Sequence, residues 1–335
     1  MKDGILAVVG NTPLIHLTKV FPDIRFNLYA KLETFNPGGS TKDRPALNII
    51  RQAVESGVLL PGGVVIESSS GNMGVGLAQA CSCYGLRFIC VVDPKTTQQN
   101  INLIRAYGAE VDLVSEPDPV TGEYLQARIT RVQELLSIYE GSFWPNQYAN
   151  VYNPDSHRQT MREISTELAG RVDYLFCAVS TCGTMRGCAE YVRENGLETE
   201  LLAVDAVGSV IFGGQSKKRL IPGHGAAVRP ALYHDNLADA CIHVNDIDCV
   251  VGCRLLARTE AILAGGSSGA VLMAVAEFKD QIPAGSNCVM MIHDRGERYL
   301  DTIYSDEWVE NHFGDISHLW EQSYLEEQAC LTTTY

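Results

Sequence analysis

The sequence lacks any long uncharged apolar run, and no stretch approaches the ~20 residues that a membrane-spanning helix needs. It is also short of positive charge. Its 26 Lys and Arg against 40 Asp and Glu give a net charge of −14, and no Lys or Arg follows Arg298. A chain this acidic is repelled by phosphate backbones and by anionic lipid. We therefore expect neither nucleic acid nor membrane among its partners.

The 11 cysteines are not arranged as a disulfide framework or a metal site. No Cys-x-x-Cys pair occurs, and the nearest pairs are Cys81 with Cys83 and Cys249 with Cys253. The eight histidines show no paired ligand spacing. An odd cysteine count, and a first apolar stretch (5–9) too short for a signal peptide, are typical of a protein with reduced thiols. These features predict a cytoplasmic protein without a metal site.

Short apolar strands alternate with helices along most of the chain. Runs such as 64–67, 174–179 and 288–292 have the composition of buried strands, and 124–139 has the spacing of a one-sided helix. This alternation predicts an α/β fold with parallel sheets covered on both faces. The 335 residues suggest about two domains, and Pro and Asn interrupt the helical pattern at 141–150.

Two loops have the composition of anion-binding turns. Each follows a strand and precedes a helix: Glu67-Ser-Ser-Ser-Gly-Asn-Met-Gly74 and Val179-Ser-Thr-Cys-Gly-Thr184. Free N–H groups at a helix start bind anions, and glycine lets the ligand come close. Because ligands of open α/β sheets bind beyond the carboxyl ends of the strands, we expect the two loops to face each other across a crevice.

A third segment, Asn36-Pro-Gly-Gly-Ser-Thr-Lys-Asp-Arg44, places a lysine at a helix start. Pro-Gly-Gly predicts a tight loop, and Ser40 or Thr41 is a natural helix cap. The helix dipole disfavours protonation of Lys42, which suits an amine that forms a Schiff base with an aldehyde. Taken alone, however, the segment favours an ordinary surface lysine.

Six motifs fall in the order found in one known family. They are Asn36–Arg44, Ser69–Gly74, Ser180–Thr184, Gly223–Gly225, Gly265–Gly269 and Asp294–Leu300. Over roughly residues 3–306 the chain resembles the fold-type II pyridoxal-phosphate enzymes, the cysteine synthase and cystathionine β-synthase group. The resemblance implies pyridoxal phosphate as cofactor. It also implies a tryptophan synthase β-like fold, in which two three-layer α/β/α domains hold the cofactor in the crevice between them.

The resemblance further implies a division of the chain and a homodimer. Residues 39–145 would form a smaller, mobile domain with the substrate-carboxylate loop. Residues 1–38 plus 146–310 would form a larger domain with the phosphate loop. Residues 311–335 would be an acidic tail, whose apolar side chains favour a docking helix or a subunit contact over a catalytic role. These side chains are Ile316, Leu319, Trp320 and Tyr324.

The same resemblance implies roles for individual residues. Lys42 would hold the cofactor as a Schiff base and move the Cα proton. The other cofactor ligands would be Asn72 at the ring hydroxyl, Ser267 at the pyridine nitrogen, and Ser180, Thr181, Cys182, Gly183 and Thr184 around the phosphate. The substrate would contact Ser69, Ser70, Gly71, Gln147, Tyr148 and Gly223. Three departures stand out: Met73 replaces a hydroxyl-bearing Thr, Cys182 adds bulk to the phosphate loop, and a shortened 157–163 segment would alter a local loop.

Within the family, the chain is most similar to C–N bond-forming synthases of siderophore and 2,3-diaminopropionate biosynthesis. Segments 124–133, 146–150 and 205–213, together with Tyr304–Trp308, carry this likeness. It implies O-phospho-L-serine as donor, an aminoacrylate intermediate and the amine of L-glutamate as nucleophile. Guanidinium groups suit phosphate and carboxylate, so Arg295 and Arg128 are candidates for binding these anions. For each arginine, a surface ion pair is an equally good interpretation.

Other functions fit parts of the sequence. A cysteine synthase that uses O-phosphoserine or O-acetylserine with sulfide needs the same cofactor, and a catalytically idle family member would act as a binding or regulatory partner. Gly265–Gly269 also fits the Gly-x-Ser-x-Gly turn of hydrolases, but 260–263 predicts a helix instead of the required strand. Gly71, Gly74 and Gly76 do not form Gly-x-Gly-x-x-Gly, which disfavours a dinucleotide site.

Overall fold

The computed structural model describes residues 4–120, 122 and 124–321. It contains two β-sheets covered by helices. The strands are β1 Leu14–Leu17, β2 Asn27–Leu32, β3 Val64–Ser68, β4 Arg87–Val92, β5 Glu110–Leu113, β6 Tyr174–Ala178, β7 Glu200–Ala206, β8 Ala240–Val244 and β9 Asn287–Ile292. The helices are α1 Asp43–Glu55, α2 Asn72–Tyr84, α3 Gln98–Ala106, α4 Tyr124–Ile138, α5 Tyr152–Glu167, α6 Gly183–Glu194, α7 Asp246–Thr259, α8 Gly266–Phe278 and α9 Asp306–Phe313.

The larger sheet has the strand order β1-β2-β9-β6-β7-β8. β1 is antiparallel to β2, and the other neighbours are parallel. Side chains alternate between the two faces: Phe176 and Leu202 pack with α7 and α8, whereas Leu175 and Val289 pack with α5 and α6. Burying each such side chain contributes about 1.5–3 kcal/mol. Burial on both faces accounts for the continuous apolar strands in the sequence.

The smaller sheet consists of the parallel strands β3, β4 and β5. Val65 and Phe88 pack with α1, α2 and α3 on one face, and Ile66 packs against Val132 of α4 on the other. This sheet lies inside residues 39–145. The division of the chain into two domains, and the mobility of the smaller one, stay predictions.

Most elements lie where the hydrophobic pattern predicts them. α2 has the predicted bounds and ends at Gly85, whose left-handed backbone (φ 65°) suits glycine at a helix end. The pattern predicts a helix over 185–194, and α6 begins two residues before that start, at Gly183. The pattern does not indicate β1, β2 or α5. The shortened segment 157–163 lies inside α5, so it belongs to a continuous helix and the expectation of an altered loop is wrong.

The described end of the chain packs against the larger sheet's core. Ile316 and Trp320 are buried there, and the Arg254 guanidinium lies 5.3 Å from the Trp320 ring centroid. Leu319 is exposed, and Tyr324 lies outside the described residues. In the described ranges, no helix combines the length and apolar composition needed to cross a membrane.

Candidate active site

The carboxyl ends of strands from both sheets converge on one crevice. Two hydrogen bonds illustrate this: the Thr41 N–H donates to the His293 carbonyl at 2.7 Å, and Asn72 Nδ2 donates to Asp294 Oδ2 at 2.8 Å. Thr41 follows β2 and Asn72 follows β3, whereas His293 and Asp294 follow β9 directly. The convergence is the one expected of parallel α/β sheets.

Lys42 lies at the start of α1, inside this crevice. It is itself the N-cap residue, so the predicted cap at Ser40 or Thr41 is wrong, although Ser40 Oγ accepts the Lys42 N–H at 3.2 Å. α2 passes very close to the Lys42 backbone, because a Cβ at Gly76 would lie 3.1 Å from the Lys42 carbonyl oxygen. Burial lowers the pKa of the Lys42 amine, and the nearby Asp294 carboxylate only partly opposes this. Burial thus shifts the Lys42 amine toward its neutral form.

Two neutral imidazoles lie near Lys42. Burial lowers the pKa of both His157 and His293 to about 3. His293 Nε2 lies 3.6 Å from Cys177 Sγ, and His157 Nε2 lies 3.3 Å from Thr184 Oγ1. Neither imidazole adds positive charge beside Lys42 at neutral pH, so neither supplies the cation that an anionic substrate needs.

The loop after β6 forms a turn at the start of α6. Cys182 has a left-handed backbone (φ 67°), and the Gly183 N–H donates to Thr181 Oγ1 at 3.3 Å. Gly183 is required sterically, because a Cβ there would lie 2.1 Å from Asn153 Oδ1. The Cys182 side chain packs into the apolar core with Cys177 and Cys188, so the expectation that its bulk enters the phosphate loop is wrong. N–H groups at this helix start suit a phosphate.

The loop after β3 is held in shape by its own hydrogen bonds. Ser69 Oγ accepts the N–H groups of Gly74 at 2.9 Å and Gly71 at 3.4 Å, and Asn100 Nδ2 donates to the Ser70 carbonyl at 3.1 Å. Met73 is buried in the smaller sheet's core. Met73, which replaces the family's Thr, therefore places an apolar side chain in the core of the smaller sheet.

Gln147 connects this loop to the loop after β6. Its Nε2 donates to the Ser68 carbonyl at 3.3 Å, and its own carbonyl accepts Asn153 Nδ2 at 2.8 Å. Asn153 Nδ2 also lies 3.4 Å from Thr181 Oγ1. The predicted substrate residue Gln147 and the predicted cofactor residue Thr181 are thus linked through one amide.

Glu67 is a buried carboxyl behind the same loop, and the sequence motifs assign it no role. It accepts Trp144 Nε1 at 3.1 Å and the N–H groups of Ser68 at 2.8 Å and Gln147 at 3.2 Å. Burial raises its pKa to about 7, although these hydrogen bonds oppose the shift. An acid at the end of an otherwise apolar strand is the sequence signal that points to it.

Asn72 and Ser267 lie at the starts of α2 and α8, respectively. Asp294 Oδ2 accepts hydrogen bonds from both Asn72 Nδ2 and the Tyr299 hydroxyl, the latter at 2.5 Å. Asn72 Oδ1 is buried and has no hydrogen-bond partner among the described residues. Ser267 is buried in the first turn of α8. Residues 260–263, which precede this turn, form neither the predicted helix nor the strand that a hydrolase requires.

The candidate substrate arginines differ in position. Arg128 is buried, and its Nε lies 3.1 Å from Asp93 Oδ2. Arg295 is exposed, and its Nε donates to the Thr34 carbonyl at 2.8 Å. The structure therefore brings Arg128, and not Arg295, toward the loop after β3.

Tyr148 lies near Arg128 and near a further cation, Arg219. Burial raises the pKa of the Tyr148 hydroxyl, while both guanidinium groups oppose the shift. Arg219 Nη1 donates to the carbonyl of buried His224 at 3.0 Å, and Gly223 beside it is exposed with a φ of 74°. Arg219 lies in the irregular segment between β7 and β8, where no periodicity could indicate its position.

A buried ion network fixes the segment that carries Lys42. Arg44 Nε lies 2.7 Å from Glu33 Oε2, and its Nη2 lies 2.8 Å from Glu163 Oε2, which also pairs with Lys31 Nζ at 2.8 Å. Burial would raise the pKa of Glu33, but Arg44 and the Thr12 hydroxyl outweigh it and lower the pKa. Arg44 thus joins α1 to α5 and to the end of β2.

The fold and the site can now be compared with known proteins. A family model described as "Pyridoxal-phosphate dependent enzyme" matches residues 5–294. The chain belongs to this family. Among solved structures it is similar to O-ureido-L-serine synthase, with 29% identity over 97% of this chain and 99% of that chain and a TM-score of 0.85.

Two further neighbours have other activities in their names. One is a hydrogen sulfide-producing enzyme from Fusobacterium nucleatum, with 33% identity, coverage of 90% of this chain and 100% of that chain, and a TM-score of 0.84. The other is an O-acetylserine dependent cystathionine beta-synthase from Helicobacter pylori, with 28% identity, coverage of 91% and 99%, and a TM-score of 0.84. The predicted fold is confirmed, as is the coarser prediction of a β-replacement enzyme.

The family also confirms pyridoxal phosphate as the cofactor, and the residues of the crevice fit it. The helix start at Gly183 offers N–H groups for a phosphate, Asn72 offers an amide oxygen without a partner among the described residues, and Lys42 offers an amine whose pKa burial lowers. The role of each individual residue stays a prediction.

Proposed function

We propose that this chain is an N-(2-amino-2-carboxyethyl)-L-glutamate synthase. The Cβ–O bond of O-phospho-L-serine would break, the amine of L-glutamate would form a C–N bond at Cβ, and inorganic phosphate would leave. The product is a precursor of 2,3-diaminopropionate in siderophore biosynthesis. The likeness of segments 124–133, 146–150, 205–213 and 304–308 to such synthases supports this proposal.

The observation that supports the proposal is that Arg128 and Arg219 both lie near Tyr148. Each guanidinium is close enough to lower the pKa of the Tyr148 hydroxyl, and Gln147 lies next in the chain. L-Glutamate brings two carboxylates and the donor brings a phosphate, into a protein with a net charge of −14. Guanidinium groups bind such anions in a two-pronged geometry. Sulfide, the acceptor of a cysteine synthase, has no carboxylate for them to bind.

Lys42 is proposed to hold the cofactor and to move the proton at Cα. Bound pyridoxal phosphate would stabilise the negative charge that develops at Cα when its proton is removed. Burial lowers the pKa of the Lys42 amine, which favours the neutral form that covalent attachment and proton removal both require.

Several neighbours of Lys42 are proposed to orient the two ligands. Ser69, Ser70, Gly71 and Gln147 would hold the substrate carboxylate, so that the Cα–H bond points at Lys42. Ser180 to Thr184 would bind the cofactor phosphate, Asn72 the ring hydroxyl and Ser267 the pyridine nitrogen. We also propose a homodimer, which light scattering of the purified protein tests directly.

A cysteine synthase is the second candidate. It is favoured by the similarity to a solved O-acetylserine dependent cystathionine beta-synthase, 28% identical, because the product in that name carries a sulfur substituent. Both candidates share the cofactor, the donor and the removal of the Cα proton, so they differ only in the nucleophile that reaches Cβ.

A competition experiment separates the two candidates. The cofactor-loaded protein is given O-phospho-L-serine with equal concentrations of ¹⁵N-labelled L-glutamate and sulfide. The products are then identified by mass spectrometry. We expect N-(2-amino-2-carboxyethyl)-L-glutamate with the label retained, and release of phosphate. Lys42→Ala is the control and should form neither product. Cysteine as the sole product would contradict the proposal in favour of the second candidate.

A further inference from the structure

Three potential metal ligands lie together at the edge of the larger sheet, outside the proposed active site. Asp205 on β7 pairs in register with His243 on β8, and Cys241 lies two residues before His243. Because side chains alternate along a strand, Cys241 and His243 project from the same face of β8, beside Asp205. Their potential ligand atoms all lie within 4.8 Å of one another.

Asp205 carries a buried oxygen that the protein leaves without a hydrogen bond. Its side chain is fully buried, and Oδ1 accepts the Ala206 N–H at 2.8 Å. Burial raises the pKa of Asp205, whereas the Ser209 hydroxyl and the Phe212 N–H also approach the carboxylate as hydrogen-bond donors and favour its charged form. Oδ2, however, has no hydrogen-bond partner with acceptable geometry within the described part of the chain. A buried carboxylate oxygen without a partner is costly, and a bound cation would compensate it.

The donor set indicates which cation. A thiolate, an imidazole and a carboxylate together suit Zn²⁺, whereas Mg²⁺ and Ca²⁺ prefer oxygen ligands alone. Zinc bonds of about 2.0–2.3 Å place neighbouring tetrahedral ligand atoms about 3.3–3.8 Å apart. The present separations therefore need to shorten by up to about 1.5 Å, which small side-chain rotations can supply. His243 is exposed and Cys241 partly exposed, so an ion can reach the site from solvent.

We propose that Asp205, Cys241 and His243 form a Zn²⁺ site with three protein ligands and a fourth position open to water. Such a site has the ligand count of an accessible zinc centre and not that of a closed structural one. This proposal departs from the prediction from sequence, which expects no metal site. The sequence does not indicate these ligands, because Asp205 comes from a different strand from the other two. Neither Cys-x-His nor a single Asp is a recognisable metal motif.

The site lies beside the phosphate loop. Burial is the main cause that raises the pKa of the Cys182 thiol to about 12. The charges of Asp205 and Cys241 also raise it, so the three side chains are neighbours. Zn²⁺ bound by one carboxylate and one thiolate would neutralise the negative charge of Asp205 close to the turn that we propose binds the cofactor phosphate.

Metal titration of the cofactor-loaded protein tests the proposal. Zn²⁺ is added in competition with a chromophoric chelator, and Co²⁺ is added separately to detect the thiolate-to-cobalt absorption band. We expect one tightly bound equivalent of Zn²⁺ and a cobalt band. Cys241→Ser should abolish the band, and His243→Gln and Asp205→Asn should each weaken Zn²⁺ binding at least about tenfold.

The controls are Cys83→Ser and His16→Gln, which replace an exposed cysteine and an exposed histidine elsewhere. Both should bind Zn²⁺ as the unchanged protein does. Circular dichroism and a melting curve without metal verify that each variant folds. If Asp205→Asn does not fold, His243→Gln still tests the site, because His243 is exposed. Absence of Zn²⁺ binding, or binding and a cobalt band that survive Cys241→Ser, would overturn the proposal.

Discussion

Asn72 Nδ2 lies 2.8 Å from Asp294 Oδ2, and this bond joins an element of the smaller sheet to one of the larger sheet. Asn72 begins α2 after β3, whereas Asp294 follows β9. The Tyr299 hydroxyl donates to the same carboxylate oxygen at 2.5 Å, and the Gln99 side-chain NH2 of α3 donates to the Glu297 and Arg298 carbonyls at 3.1 and 2.8 Å. Together these contacts tie the starts of α2 and α3 to the segment after β9, beside Lys42.

Asn72→Ala should weaken both stability and cofactor retention. The substitution removes the donor to Asp294, and a lost hydrogen bond of this kind costs about 0.5–1.5 kcal/mol of unfolding free energy. It also removes the unpartnered Oδ1, so we expect faster loss of pyridoxal phosphate on dialysis. Urea unfolding and absorbance of the retained cofactor measure the two effects. Asn102→Ala, at an exposed amide that contacts only Gln98, is the control. Equal cofactor retention in the two variants would remove Asn72 from the cofactor site.

The sequence predicts the fold better than it predicts the site. Parallel strands buried on both faces show as apolar runs, so β3, β4, β6, β7 and β9 are predicted close to their observed bounds. α5 is missed because its buried face includes polar residues such as Asn153 and His157. Lys42 is found through a motif, whereas Arg219 comes from an irregular segment where only the folded structure brings it to Tyr148.

Lys42→Ala should abolish covalent attachment of the cofactor and lower turnover by about a thousandfold or more, as expected for a nucleophile that also transfers a proton. Borohydride reduction of the loaded protein, followed by peptide mass spectrometry, should place the pyridoxyl group on residue 42. Lys218→Ala, at an exposed lysine, should retain both the label and the activity. A label on any other lysine would contradict the proposed role of Lys42.

Glu67 should make stability fall as pH rises. Burial raises its folded pKa to about 7 from an ordinary 4.5, so between these values the folded chain binds more protons than the unfolded chain. The contribution of Glu67 to stability is therefore greatest below pH 4.5 and is lost progressively up to pH 7.

Glu67→Gln tests this directly, because it keeps the size of the side chain and removes the charge. Relative to the unchanged protein, the variant should gain up to about 3 kcal/mol between pH 4.5 and pH 8. Urea unfolding at the two pH values gives the difference, with Glu140→Gln at an exposed position as control. An effect of Glu67→Gln that is the same at both pH values would refute the raised pKa.

Arg44→Met should be among the most destabilising single changes in the described chain. It leaves Glu33 buried without its cation, which costs about 3–5 kcal/mol at neutral pH. The Glu33 pKa is lowered in the folded protein, so the stability from this pair is present above the unfolded pKa and is lost as pH falls. Arg87→Met, which breaks the exposed pair with Glu110, should change stability little. Equal losses in the two variants, measured by urea unfolding, would contradict this account.

Gly183→Ala should disturb the phosphate loop through Asn153. The new Cβ would lie 2.1 Å from Asn153 Oδ1, so Asn153 must move and lose its hydrogen bond to the Gln147 carbonyl. We expect a destabilisation of about 1–3 kcal/mol from overpacking and weaker retention of pyridoxal phosphate. Asn153→Ala removes the clash, so the double variant should be less destabilised than the sum of the single variants, with a coupling of about 0.5–3 kcal/mol. Urea unfolding of all four proteins gives the coupling, and strict additivity would show that Gly183 is not required by its contact with Asn153.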